Sequence, residues 1–540
     1  MQQTNSESLS EQAVRDASSA PDTSCTSSAP DVSGAPGVPD APDTPSAPDA
    51  SSTSNASDAT NGPMTDIDTS KVDRLGVESL PKLITEFAIP SIVGTIVNAI
   101  YNIICSAFLG QAMGEIGLSV ATVANPTMII FLALAMLIGV GGNALCALRM
   151  GEGRRDDAEM VLGNTVTLGI IVWLIVALIA INPFLLDQLL TLSSATDEVR
   201  PYAATYIRIL CVGFCFQNIG FGINNFIRTA GRPNRALVTM IIGAVVCTFC
   251  CWIFVIVLDL QVVGAAAATL IGQAASCASV LWFFLFTKDV PFKLRLRCMR
   301  PKWSIISTVL VLGLAPFAVQ IGSAVVNFVI NYQLFTLGAM HVVGSVGAQA
   351  SIGVVQRIAM FTVMPLVGTA NAIQPILGYN YGAKNYKRVR TCFWEGVAGA
   401  TVISVIMFAI VHLWPTQIVG WFGIESVDLM EFTVYALQVQ LLMLPFVGFQ
   451  ILGGNYFQAT GQPLKSILLS LSRQVIFLVP LLLIMPMWLP AVFPQFEPLD
   501  AMYVATPVAD FLAIFTTVIL IAWEMRRIQK LQRGEIVAKY

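Results

Sequence analysis

Beyond about residue 80 the chain alternates long apolar runs with short polar breaks, and this rhythm predicts its architecture. Twelve runs are drawn at approximately 83–109, 117–147, 159–183, 200–227, 236–259, 262–287, 304–335, 343–376, 392–413, 430–457, 466–488 and 500–525. Each reaches the length of about 20 residues that a helix needs to cross a bilayer. Lipid offers backbone groups no water partner, so only helices and closed barrels span it. The alternating stretches of about ten residues that mark a barrel are absent. An all-α polytopic membrane protein with twelve transmembrane helices is expected.

Residues 1–75 are a different material, expected to be a disordered, acidic cytoplasmic tail. They are dense in Pro, Ser, Ala and Asp, as in APDVSGAPGVPDAPDTPSAPDASS, and the first 70 contain no aromatic residue. Such a segment buries too little apolar surface to offset its ordering entropy. It has neither the basic start nor the apolar stretch of a secretory signal. Composition agrees with this division: 55% of residues are hydrophobic and 12% charged, against about a quarter charged in soluble domains. Of the net charge of −3, the first 70 residues carry −10 and the rest +7.

An eleven-residue phrase occurs twice, 230 residues apart. Asn225 to Arg235 reads NFIRTAGRPNR and Asn455 to Lys465 reads NYFQATGQPLK, with Gly231/Gly461 and Pro233/Pro463 in register. A second echo sets LRMGEGRRDDAEMVLGN (148–164) against NYGAKNYKRVRTCFWEG (380–396), where Gly151 and Gly382 open each basic turn. Repeats of this kind mark secondary transporters, whose substrate path lies between them. The expected layout is an N-terminal lobe of helices one to six (76–290) and a basic linker (291–303). A C-terminal lobe of helices seven to twelve (304–527) and a C-terminal tail (528–540) follow.

Charge gives the orientation. With twelve spans, both termini and every even-to-odd connection share one side. That side collects Arg149, Arg154, Arg155, Arg228, Arg232, Arg235, the linker bases and Lys384 to Arg390, whereas the opposite connections offer only Arg200. The positive-inside rule puts both termini in the cytoplasm of a chain lodged in the cell membrane.

Several phrases are shared with a known family: FAIPSIVGTIVNAIYNI with AFLG (87–110), RMGEG (149–153), NNFIRTAGRPNRA (224–236), QPILGYNYGA (374–383), NYFQATGQP (455–463) and SRQVIFLVPLLLIMP (472–486). In these the chain resembles the MATE family (multidrug and toxic compound extrusion), bacterial branch, from about residue 80 to 527. The resemblance implies two six-helix lobes around a central cavity. It also implies export of amphipathic, often cationic, organic compounds by H+ or Na+ antiport with alternating access. Many relatives hold the coupling cation on an Asp of helix one and an Asn and Asp of helix five. The matching positions here are Cys105, Cys247 and Cys251, while Thr269 of helix six is retained. A thiol of pKa about 8.5 keeps its proton at neutral pH and lacks the hard oxygens that sodium prefers. The expected coupling site therefore moves to the second lobe.

The residues themselves suggest where a cavity would lie. Helices one and seven each carry an early proline and later asparagines, Pro90 with Asn98 and Asn102 against Pro316 with Asn327 and Asn331. Proline removes a backbone hydrogen bond and lets a helix bend. Those asparagines, with Gln217, Thr269, Gln320 and Gln374, are the expected lining of a substrate or ion cavity. The plainer alternative is that buried amides merely tie helices together. Ionisable groups within spans are costly and point to function, which makes Asp510, Arg357 and Arg473 the coupling candidates. Asp510 would titrate or bind the cation and an arginine would set its affinity; the alternative is a structural ion network.

No metal and no cofactor are expected. The cysteines read as small apolar packing residues, with a soft-metal site at Cys105, Cys247 and Cys251 as the sharper alternative. Neither a GxxxxGK[ST] phosphate loop nor an HExxH helix is present, so an enzyme is not expected. The expected partners are small-molecule substrates, H+ or Na+ and membrane lipid, without nucleic acid, around a monomer. Two competing readings are a flippase for lipid-linked saccharides, which would need a strongly basic cavity, and a membrane-embedded enzyme or scaffold.

Overall fold

A computed structural model describes residues 70–192, 199–287, 290–424 and 426–535. All lie in one compact unit, Met64–Tyr540. Among the described residues the structure is helical, with no strand. Eleven helices are long and apolar enough to cross a membrane: Leu80–Tyr101, Val123–Gly151, Arg155–Leu178, Arg200–Thr229, Pro233–Val257, Gln261–Phe286, Trp303–Gly338, Gly344–Gly382, Tyr386–Leu413, Pro463–Val492 and Pro498–Gln532. A bent pair, Val427–Gln440 with Leu444–Ala459, supplies the remaining span, tenth in chain order, with a 46° break. Its cause is local: Pro445 sits at the second position of the later helix and has no N–H to continue the ladder.

The first two spans share one unbroken helical stretch, Leu80–Gly151. It cannot be a straight rod. Thr95 donates to the Met364 carbonyl, while Gly151 lies against the Tyr379 carbonyl. Those two carbonyls are 15 residues apart on the eighth span, roughly 23 Å at 1.5 Å per residue. Thr95 and Gly151 would be roughly 84 Å apart on a straight helix. The chain therefore doubles back between Tyr101 and Val123, as two antiparallel spans require.

The tail ends earlier than expected. Residues 1–69 lie outside the described residues, but Ser70–Val77 is helical and Leu75 is buried. The Leu75 carbonyl accepts from Asn380 Nδ2 at 2.9 Å and from Arg388 Nε at 3.3 Å, and these bonds dock residues 70–75 on the eighth and ninth spans. Leu75, Leu80, Leu83 and Phe87 join the large core built mainly from residues 326–531. The linker is also docked. Lys293 N donates to Glu159, Lys302 N to Asn164 Oδ1, and Thr167 to the Met299 carbonyl at 2.7 Å.

The repeated turns meet each other. A Cβ added at Gly151 would fall 1.9 Å from the Tyr379 carbonyl oxygen and 2.9 Å from the Ala383 nitrogen. One added at Gly382 would fall 2.2 Å from the Leu148 oxygen and 3.1 Å from the Glu152 nitrogen. Shifting one set by 231 positions gives the other, so the contact is reciprocal about a near-twofold axis. Asn143 and Gln374, equivalent under the same shift, touch each other on that axis, Nδ2 to Oε1 at 3.4 Å. Only glycine permits this approach of two helix ends.

Candidate transport site

The first and fifth spans diverge enough to leave an open groove of about 500 Å³ between them. Val97, Tyr101 and Phe108 form one wall, and Ala244, Phe249 and Trp252 belong to the other. Val97, Tyr101 and Phe108 are spaced four and seven, and Val245, Phe249 and Trp252 four and three, so each set shares a helix face. The fifth span starts cleanly because Gly231 takes φ +78° and Pro233 follows at the first helical turn. Its far end is a π-helical segment, Trp252–Val257, a distortion often found at functional sites.

Behind the groove lie the thiols. Cys247 and Cys251 are buried with Ala268 against Tyr101 and Phe108. A Cβ at Gly272 would sit 2.4 Å from the Cys247 Cβ, so the sixth span presses directly on this position. Thr269 is buried and donates to the Ala265 carbonyl of its own helix at 3.0 Å. The side chains of Asn102 and Cys105 lie outside the described residues. No group of three or more His, Cys, Asp or Glu suited to a metal occurs among the described residues.

Toward the end that carries the basic turns, the two halves are joined by a buried polar chain. Thr229 donates to Asn143 Oδ1 at 2.7 Å, and Asn143 donates to Gln374. Gln374 is 1% exposed and its Nε2 has no partner among the described residues. Arg228, which the sequence suggests is a loop cation, is instead buried in the last turn of the fourth span.

The second half concentrates paired charge. Arg473 Nε donates to Asp510 Oδ1 at 2.7 Å, and Asp510 is buried. Arg473 belongs to the π-helical segment Ser472–Leu478. The next residue, Gln474, reaches across to Ser323 Oγ on the seventh span at 2.9 Å. A second cluster escaped the sequence reading: fully buried Glu524 accepts from Lys465 at 2.6 Å, Arg527 at 3.0 Å and Gln462 at 2.8 Å. Its only sequence signal was an acid followed three residues later by a base near a helix end. The other candidates disperse. Asn327 accepts from Gln356 Nε2 at 3.1 Å. Asn331 and Arg357 are exposed, while Asn98, Gln217 and Gln320 are half-buried. Arg357 therefore does not join the Arg473–Asp510 pair.

With this geometry in view, a MatE family model matches the chain twice, over residues 90–253 and 323–484. The chain belongs to the MATE family of membrane transporters. The double match restates the internal repeat, and the protein is accordingly a multi-pass transporter and not an enzyme. The multidrug export protein MepA of Staphylococcus aureus (strain MSSA476) is 24% identical over 404 residues, 75% of this chain and 87% of that one. The MATE multidrug transporter DinF-BH, solved as a ligand complex, is 34% identical, covering 84% of this chain and 98% of its own, with a TM-score of 0.75. An outward-facing multidrug resistance MATE transporter of the MOP superfamily superposes with a TM-score of 0.76 at 24% identity, covering 86% and 99%; it shares the fold.

Proposed function

We propose that this MATE protein is a multidrug exporter that expels amphipathic organic compounds in exchange for H+ or Na+, by alternating access between its two halves. The observation that carries this reading is the aromatic groove between the first and fifth spans, in a chain of this family. Aromatic walls accept varied flat molecules without demanding one hydrogen-bond pattern. The names of MepA and DinF-BH support the same activity. If the basic end is cytoplasmic, as charge bias suggests, the glycine seam closes the inner side and leaves the outer side free to release cargo. Coupling is assigned to the Arg473–Asp510 pair. Both termini then lie inside, in the cell membrane. One monovalent cation crossing about 150 mV supplies roughly 3.4 kcal/mol, enough for a gradient of about 300-fold.

The test is uptake of ethidium into inverted vesicles with Na+ and H+ gradients imposed separately. Accumulation under one gradient, lost when it is collapsed, is expected. Uptake of both ethidium and a zwitterionic rhodamine acid equal to that of vesicles lacking the protein, under both gradients, would refute the exporter.

A further inference from the structure

Arg228 is 3% exposed, yet no carboxylate stands within ion-pair distance of it among the described residues. One guanidinium nitrogen donates to Asn225 Oδ1, a second points at Met240 Sδ from 3.7 Å, and Nε has no partner. A thioether is a weak acceptor, and a buried cation without a counter-charge is costly. The internal repeat shows what a satisfied residue looks like here: its counterpart Gln458 is neutral and donates to the Leu312 carbonyl at 3.2 Å.

The position of this cation matters. Met240 lies one turn before Ala244, and its sulfur faces Gly94, one turn before Val97. Ala244 and Val97 both line the aromatic groove, so the guanidinium stands immediately behind the groove's inner end, with the flexible Met240 side chain between. No acid lines the groove, and the fifth-span positions next to it are the thiols Cys247 and Cys251. A cationic cargo finds no counter-charge there; an anionic one does.

We propose that the groove and Arg228 form one binding site for an amphiphile bearing a carboxylate. Its aromatic or apolar body lies against Tyr101, Phe249 and Trp252, and its carboxylate takes the place of the Met240 sulfur at Arg228. Charge-assisted guanidinium–carboxylate bonds are among the strongest polar contacts, and methionine's unbranched chain moves aside readily. The inference rests on the exporter reading and narrows its cargo toward zwitterions and anions.

An ethyl-ester rhodamine dye and its hydrolysed free acid share one ring system and differ by the carboxylate, so they isolate this contact. Fluorescence anisotropy with purified protein should show the acid binding about tenfold tighter than the ester, equivalent to 1.4 kcal/mol. Arg228→Gln, which installs the residue of the second repeat, should erase the difference by weakening the acid about tenfold. Arg228→Lys should keep part of it. If Arg228→Gln fails to fold, the dimethylamide of the acid, which has no N–H with which to close on the ring system, tests the wild type directly, and it should bind no better than the ester. Ester binding as tight as acid binding, an amide as tight as the acid, or a preference surviving in Arg228→Gln would each overturn the site. Vesicle uptake of both dyes separates the two levels. Transport of the ester or of ethidium without preference for the acid defeats this inference alone, whereas transport of none of the three dyes defeats the exporter.

Discussion

The fifth and eleventh spans hold equivalent places in the two repeats, yet they grip their neighbours by opposite chemistry. In the first half, a Cβ at Gly243 would lie 2.9 Å from the Ser276 Cβ, so the fifth and sixth spans touch almost backbone to backbone. In the second half, 230 residues on, the same position is Arg473, bonded at 2.7 Å to Asp510 of the twelfth span. Likewise Arg235 is matched by Lys465, which with Arg527 encloses the buried Glu524. One half is closed by small residues and thiols, the other by ion pairs. A response to cation gradients needs ionisable groups, which is why the proposed coupling is assigned to the paired charges of the second half.

The comparison is most exposed at Asp510. Asp510→Asn should reduce gradient-driven uphill transport to background in vesicles while dye binding persists. It should also lower unfolding stability by about 2 kcal/mol, less than for a fully buried pair because Arg473 is 29% exposed. Full uphill transport in this variant would remove coupling from the second half. Next in size is the seam. Gly151→Ala or Gly382→Ala should cut transport about tenfold and leave a cysteine placed at Ala147 reactive to aqueous reagents, because the added carbon meets backbone. Gly153→Ala is the control, with no neighbour within 4 Å and φ +75°. It should cost only about 1 kcal/mol of backbone strain and preserve closure. A smaller effect is expected at Thr229→Val, which breaks the bond to Asn143 at a cost of about 1 kcal/mol, read as a shift in thermal midpoint. Least of all, Cys105→Ala, Cys247→Ala and Cys251→Ala combined should change transport by less than about twofold, since small apolar residues exchange with little loss. A large coupling defect from the thiol variants alone would place the mechanism in the first half.

Much of the fold was legible because lipid enforces it. Any segment that crosses must be long, apolar and helical, so the twelve runs reappear as eleven helices and one bent pair. The repeat was legible for a similar reason: Gly151 and Gly382 are fixed by a contact no other residue allows. The site was less legible. Counted along separate helices, Arg473 and Asp510 stand at different depths, which argues against pairing. They do pair, and Arg473 lies in the π-helical segment Ser472–Leu478, whose wider turn departs from the regular rise that such counting assumes. Arg228 was misplaced because charge alone suggests a loop, whereas the fourth span remains helical through Thr229. Glu524 was missed because Lys465, 59 residues away in the chain, completes its surroundings.

The reciprocal glycine contact has a further consequence, for cooperativity. Two like contacts flank one axis within about one helical turn of each other, so a movement that separates the two helix ends along that axis releases both. The seam should behave as a single latch with two teeth, passing between states in one step and leaving little room for a leak that connects both sides of the membrane.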